Sequence, residues 1–535
     1  MKCKSLMIQG TGSSVGKSLI TAALCRILND RGIDVVPFKA QNMSLNSSVT
    51  FDNGEIGRAQ ALQAQAARVR PETAMNPVLL KPAGEAGIQV IIQGKVYGTL
   101  SAQGYYNIKR RAVDAVHSSY DALSKRHELI ILEGAGSPAE INLMKDDVVN
   151  MSMARYANAP VLLAGDIDKG GVFASFYGTV KLLGRDSRRI KALIINKFRG
   201  DLNLLKPGLA MIQEKTGKPV IGVLPYVQDI GLPEEDGLVD SGRGNPCGCP
   251  ISGATSDNQR AGARRGNPGG CPAPTVGIIK VIVLQLNYIS NFTDFDPFFY
   301  EPDVRLVYSR NPSDIEQADI VMLPGTKNTM DDLAFLRKTG LAGSILHAYR
   351  KGIQIIGICG GYQMLGKRLL NPYGVEGPIK KAQGLGVLDI ETVFQKNKSV
   401  SQVEAEVTGS SAFAAGNADA GILHGYEIHH GISSGARGLF KLRRMHQGPA
   451  HENRQAEPLE DGSVNRNCWG TYMHGIFEND RFRRNLLNQI RIKKGLRPLA
   501  VSAEYAAIQD KAIDHFAGIV RRNLDLEFIM RIAGV

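Results

Sequence analysis

The stretch Met7-Ile8-Gln9-Gly10-Thr11-Gly12-Ser13-Ser14-Val15-Gly16-Lys17-Ser18-Leu19-Ile20-Thr21 joins an apolar strand to a glycine-rich loop that opens a helix, amphipathic through Leu28. Such a loop belongs at the carboxyl edge of a parallel sheet covered by helices, where backbone amides and a helix N-terminus converge on anions. The spacing is longer than usual. Counting back five from Gly16 reaches Thr11, and the first glycine, Gly10, is six back. The amides of Gly10, Thr11, Gly12, Ser13, Ser14, Val15 and Gly16 are expected to cradle phosphates, with Lys17 offsetting charge and the Ser18 hydroxyl on Mg2+. The alternative is a glycine-rich turn with no nucleotide, which the intact Gly16-Lys17-Ser18 in its strand-helix context makes a poor fit.

Three later segments repeat the logic. Leu129 to Gly136 is a buried strand ending at Glu133, a second metal ligand, directly or through water. Val161 to Gly171 ends at Asp166 and Asp168, candidates for metal or substrate contact, and Leu193 to Lys197 ends at Asn196. A carboxylate at a strand end is often only a helix cap. Several in succession, each after an apolar strand, imply one doubly wound parallel sheet with ligands gathered at its carboxyl ends. After a short strand, Pro37 to Ser47 supplies Lys39, Gln41, Asn42, Asn46 and Ser47, which could hold an anionic, amide-bearing substrate; an ordinary polar loop is the alternative.

A second chemistry sits at Cys359, in Gly357-Ile358-Cys359-Gly360-Gly361-Tyr362-Gln363-Met364-Leu365-Gly366, directly after the largely apolar Ile353 to Ile358. Glycines on both sides permit a sharp turn that lifts the side chain clear of the sheet. A helix beginning at Tyr362 would favour thiolate over thiol and could hold an oxyanion. His474, in Gly470 to Phe477, is the expected general base. His424, His429 and His430 compete, and read as a polar strand or turn near a site, with a ligand contact open for one of them.

The loop Pro324-Gly325-Thr326-Lys327-Asn328-Thr329 after the strand Ile320 to Leu323, the Cys359 turn and the late His474 together resemble the class I glutamine amidotransferase family. The resemblance implies that Gly325 and the Gly360 amide form the oxyanion hole. In that family an acid stands two residues beyond the histidine. Here that position is Ile476, and Glu478 lies four on, so a Cys-His dyad is expected. The long phosphate loop resembles the dethiobiotin synthetase and cobyrinic acid amidase subgroup, which implies that Asn196 reads the adenine edge. Phe38 to Ser47, Glu55 to Ala61, Met75 to Pro82, Ile289 to Pro297 and Gly425 to His429 resemble the cobyric acid synthase family, in order and over nearly the whole chain.

That resemblance implies ATP- and glutamine-dependent amidation of the b, d, e and g carboxylates of (adenosyl)cobyrinic acid a,c-diamide in cobalamin biosynthesis. ATP and Mg2+ act as substrates, with no tightly bound cofactor, and ammonia travels by a protected route between domains. Two other readings stay open. The related synthase that amidates the a and c carboxylates has an acidic Pro-Asp-Tyr run where this chain has Gln41-Asn42-Met43. The other is a phosphate-loop ATPase switch with an inactive amidotransferase-like module, against which the intact Cys359 and His474 argue.

The 535 residues are too many for one core. Expected divisions are an ATP-binding amidoligase domain at 1–236, a linker or insertion at 237–275, an amidotransferase domain at 276–490 and a helical extension at 491–535. The fold class is therefore α/β throughout: a phosphate-loop doubly wound sheet followed by a class I glutamine amidotransferase-like domain. The net charge of +13 is spread along the chain without a basic block, which argues against nucleic acid and suits ATP and a polycarboxylate. No apolar stretch approaches a membrane span, and Met1 to Lys4 runs straight into the first strand, so a cytoplasmic location is expected. The duplicated Gly/Pro/Arg-rich stretch carrying Cys247, Cys249 and Cys271 reads as a spacer, since a fourth ligand at zinc spacing is missing. Gly409 to Asp419 and His446 to Gly462 read as mobile surface insertions. An oligomer is compatible with all of this.

Overall fold

The computed structural model describes residues 3–82, 87–228, 230–232, 277–408, 413, 416–445, 457–501 and 503–535. The segment carrying Cys247, Cys249 and Cys271, expected to be a linker or insertion, lies outside the described residues.

In the N-terminal half a six-stranded sheet runs in the order Val220–Pro225, Ile190–Phe198, Val161–Asp166, Lys4–Gly10, Leu129–Glu133, Val35–Phe38. Every neighbouring pair is parallel. The strands are apolar and buried because helices cover both faces, and each face has its own hydrophobic cluster. The phosphate-loop strand is central, so Gly10, Glu133 and Asp166 emerge side by side at one edge of the sheet. A smaller sheet of Gln41–Met43, Val78–Pro82, Ile88–Ile92 and Lys95–Leu100 branches off beside it.

The C-terminal half repeats the plan with Val304–Ser309, Ile279–Leu284, Ile320–Leu323, Gln354–Ile358, Cys468–Thr471 and Ser463–Asn465, parallel except for the last pair. A second sheet, built on the long antiparallel pair Ile390–Val407 and Leu423–Gly435, packs over its site-bearing edge. Of the expected surface insertions, residues 409–412, 414–415 and 446–456 lie outside the described residues, and parts of the remainder are tied down. Phe413 is buried against Trp469, ring centroids 4.9 Å apart, and Leu459–Asp461 pairs with Phe440–Arg444 as a strand. An apolar side chain inside a small-residue stretch and a buried Asp461 drive that anchoring.

The last segment closes the chain on its beginning. Helices Tyr505–Asn523 and Leu526–Ala533 bury Ile513, Phe516, Val520 and Ile529 in the cluster of the phosphate-loop helix Lys17–Asp30. On that helix Arg26 is fully buried and bonds Asp510 at 2.5 Å and Asp514 at 2.8 Å. Further polar contacts cross between the halves: Ser47 N–H to Asn291 Oδ1 at 3.0 Å, Arg58 to Glu478 at 3.0 Å and Lys398 to Glu55 at 2.7 Å.

Candidate active site

At the end of the strand Gln354–Ile358, Cys359 takes φ 51° and ψ −105°, a strained conformation for a residue with a side chain. The following helix starts at Gly360, two residues before the expected Tyr362, which makes Cys359 its N-cap. The glycines are sterically required. A Cβ on Gly361 would lie 1.9 Å from the Leu323 carbonyl oxygen, and one on Gly360 2.6 Å from Thr326 Cγ2. Because the Leu323 obstacle is backbone, Gly361→Ala is expected to cost about 1–3 kcal/mol through overpacking. Thermal unfolding would show this as a lowered Tm, with loss of whatever chemistry depends on the turn.

His474 is brought to Cys359 by the neighbouring strand Cys468–Thr471 and held by paired backbone bonds with Tyr426, 3.1 and 2.9 Å. The Tyr426 ring stacks on the imidazole at 5.2 Å. The expected dyad is corrected here. Asp294 Oδ2 lies 2.6 Å from His474 Nδ1, and its Oδ1 accepts the Gly475 N–H at 3.0 Å. Ile476 is core, and Glu478 is turned to Arg58. Burial alone would push His474 down, but the Asp294 charge, the Cys359 sulfur and hydrogen bonds to both raise it to about 10. The centre is thus a Cys359–His474–Asp294 arrangement able to run nucleophilic attack on an acyl carbon. The signal that could have found Asp294 was the stretch Ile289 to Pro297, singled out for its resemblance but given no chemical role.

Gly325 is beside both groups: a Cβ there would sit 3.0 Å from His474 Cε1 and 3.8 Å from Cys359 Cβ. The space before the sulfur is lined by Lys327, Gln363, Glu376, Lys398, His429 and His430, among others, and by Lys81 from the N-terminal half. His430 is held well down, at about 3, by burial and by Lys398 and Lys327, so it is neutral. Its Nε2 then accepts from Gln89 at 3.2 Å while Nδ1 donates to the Gln395 carbonyl at 3.1 Å. His429 stacks on Tyr472 at 3.8 Å. His424 points to solvent, away from the site.

The second centre lies at the phosphate loop. Gly16 caps the helix Lys17–Asp30 with φ 95°, and a Cβ there would meet Asn196 Nδ2 at 2.1 Å. Asn196 donates to the Val15 carbonyl at 2.9 Å, closing one side of the loop. A Cβ on Gly10 would strike Val15 at 2.5 Å, so the two loop ends pack against each other. Lys17 Nζ bonds the Gly12 carbonyl at 2.7 Å and the Gly136 carbonyl at 3.2 Å, spanning the loop that Thr11, Gly12, Ser13 and Ser14 form. Ser18 donates to Glu133 Oε1 at 2.8 Å. The same carboxylate takes Lys39 at 3.0 Å and Gln63 at 2.6 Å. An exchangeable hydroxyl and a carboxylate side by side are hard oxygen donors suited to Mg2+ that keeps most of its waters and phosphate oxygens. Asp166 bonds the Asp168 N–H at 2.9 Å and pairs with Lys197 at 3.2 Å, while Asp168 pairs with Arg199.

The residues expected to hold substrate do not form one open patch. Lys39 is buried on Glu133, and Asn42 is buried on Gln60 at 2.9 Å. Asn46 is buried, and Ser47 sits at the seam between the halves, taking Lys81 at 2.9 Å. Gln41 is half-buried, receiving the Tyr105 hydroxyl, next to an exposed Met43.

A family profile described as the CobQ/CobB/MinD/ParA nucleotide binding domain matches residues 6–239. Another, the CobB/CobQ-like glutamine amidotransferase domain, matches residues 280–482. A nucleotide-binding half joined to a glutaminase-type half defines the class of glutamine-dependent amidoligases. The chain is 45% identical over 532 residues to a cobyric acid synthase of Thermodesulfovibrio yellowstonii, covering 99% of this chain and 100% of that protein. Cobyric acid synthases of Sorangium cellulosum and Syntrophobacter fumaroxidans are 45% and 42% identical, with at least 99% of each chain covered. The chain belongs to the cobyric acid synthase family. Among the described residues no helix is long and apolar enough to cross a membrane.

Proposed function

We propose that this chain converts cobyrinic acid a,c-diamide to cobyric acid by amidating the b, d, e and g carboxylates with ammonia drawn from glutamine at Cys359. The observation that carries this reading is the presence, in one chain, of the Cys359–His474–Asp294 arrangement and the Ser18–Glu133 phosphate-loop cluster. Cys359 attacks the side-chain amide carbon of glutamine, and the amides of Gly360 and Gly325 receive the developing oxyanion. His474, oriented by Asp294, takes the Cys359 thiol proton and gives it to the departing ammonia. Water then cleaves the glutamyl thioester to glutamate and restores the thiol.

A carboxylate is a poor electrophile for ammonia, so it is first phosphorylated. Its oxygen attacks the γ-phosphorus of ATP, releasing ADP and forming an acyl phosphate, and ammonia then displaces phosphate to give the amide. Lys17 and the loop amides hold the phosphates, and Lys39, paired with Glu133, is the cation beside them for the incoming carboxylate. Asn196 closes the adenine end of the loop. Mg2+ would be held by Ser18 and Glu133, supplying charge neutralisation to the phosphates when bound. Gln41, half-buried beside exposed Met43, is the most accessible of the residues expected to meet the corrinoid, and Ser47 meets the amidotransferase half through Asn291.

The test supplies purified protein with cobyrinic acid a,c-diamide, ATP, Mg2+ and glutamine and follows product mass. Four successive carboxylate-to-amide steps are expected. Amidation of cobyrinic acid at only two positions would replace this reading with the a,c-diamide synthase. Lys17→Ala is expected to lower turnover about 10²–10³-fold with ammonia as well as with glutamine, since one preorganised donor to the transferring phosphate is lost. Unimpaired ATP use by that variant would remove the phosphate loop from the reaction.

A further inference from the structure

The charged groups around the Cys359 sulfur are not equally available. Lys81 and Lys398 enter the cavity from opposite halves, and both are already committed. Glu55, fully buried, binds Lys81 through Oε1 at 2.8 Å and Lys398 through Oε2 at 2.7 Å. Lys81 also donates to Ser47 Oγ at 2.9 Å. His430 is neutral and bonded on both ring nitrogens. That leaves two groups from the amidotransferase half.

Lys327 is 92% buried, since 8% of it is exposed, yet among the described residues its ammonium has no hydrogen-bond or ion-pair partner. Lys327 lines the cavity in front of Cys359. Glu376 lines the same cavity, 6% exposed, and spends Oε2 on the Thr329 N–H at 2.6 Å. The two interact through their charges without closing to an ion pair. Burial pushes Lys327 down and Glu376 up, the cost of keeping opposite charges apart in a site poor in water. A folded chain seldom leaves a buried ammonium without a partner unless a ligand supplies one.

We infer that Lys327 and Glu376 are the handle for the α-amino-acid end of glutamine, Lys327 receiving the α-carboxylate and Glu376 the α-ammonium, while the side-chain amide lies at Cys359. This rests on the glutaminase reading of Cys359. A zwitterion inserted between the two groups satisfies both charges without changing the net charge of the cavity. Fixing the amino-acid end also rejects other amides, because a ligand lacking either charge leaves one buried group unpaired. Both residues are specificity determinants rather than catalytic groups. Lys327 follows directly from the loop carrying Gly325, and Glu376 binds the backbone of Thr329 on that same loop, so the handle is rigidly tied to the oxyanion position.

The experiment compares glutamine with two analogues that each lack one charge: 4-aminobutanamide, without the α-carboxylate, and 4-carbamoylbutanoate, without the α-ammonium. Ammonia release is measured for wild type, Lys327→Met and Glu376→Gln. Wild type should favour glutamine over each analogue by about 10- to 100-fold or more in kcat/KM. Lys327→Met should lose its preference over 4-aminobutanamide, with the loss falling on KM, and keep its preference over 4-carbamoylbutanoate. Glu376→Gln should show the reverse. Because Lys327→Met removes an unpaired buried charge, its Tm should not fall, and a lowered Tm with both preferences retained would make Lys327 structural and overturn the inference. Unchanged discrimination in a variant with normal Tm overturns it equally. Absence of glutamine hydrolysis in the wild type would bring down the parent reading, and this one with it, whereas the variant outcomes bear on this inference alone.

Discussion

Cys359→Ala is expected to remove glutamine-dependent amidation by at least about 10⁴-fold, because loss of the nucleophile in a cooperating group costs nearly as much as loss of the whole group. Amidation driven by added ammonium salt should survive in the same variant. The two centres are built on separate sheets, and the phosphate-loop cluster of Lys17, Ser18, Lys39 and Glu133 makes no use of Cys359. The substitution deletes one sulfur at a position where the backbone is held by glycines rather than by the thiol, so the fold should be kept. Comparing product mass with glutamine and with ammonium in the variant checks both halves together. Loss of both activities in a folded protein would mean that the sulfur also serves the synthetase half. Retention of glutamine use would move the nucleophile elsewhere.

Much of this architecture was legible because the informative residues are local. The phosphate loop carries strand, glycines and helix in one short run, and the Cys359 turn does the same. Both work through backbone geometry that neighbouring glycines dictate, visible as positive φ at Gly16 and Cys359 and as forbidden Cβ positions at Gly16 and Gly361. The parallel sheets followed from apolar runs ending in polar residues. What could not be read is what the fold alone brings together. Asp294 stands 180 residues before His474, on a turn that follows Asn291 with φ 53°. The acid comes from a segment far away in the chain, so counting residues onward from the histidine missed it. Lys39 was legible as a functional cation but not as a partner of Glu133, since that contact joins the ends of two neighbouring strands 94 residues apart in the chain. The Lys327 ammonium was invisible for another reason: nothing in a sequence says that a lysine lacks a partner.

Asp294→Asn is the second large effect, an expected fall of about 10³–10⁴-fold in kcat for glutamine hydrolysis with KM little altered. A neutral amide in place of the carboxylate can hold the wrong imidazole tautomer and cannot stabilise the imidazolium. The carboxylate acts through His474, so it is a positioning residue, and a pH readout separates that role from a merely structural one. His474 is raised from its ordinary value to about 10, against the downward push of burial, by Asp294 and Cys359. A histidine with a raised folded value stabilises the fold fully below its unfolded value and loses that contribution as pH rises through the folded one. The Tm gap between wild type and Asp294→Asn should therefore be widest near pH 6 and narrow toward pH 10. In the variant, burial is opposed by Cys359 alone, so the imidazole should titrate at lower pH, and NMR of the ring protons would follow it. A loss in kcat below about tenfold, or a Tm gap independent of pH over that range, would restore the Cys359–His474 dyad that spacing alone suggested.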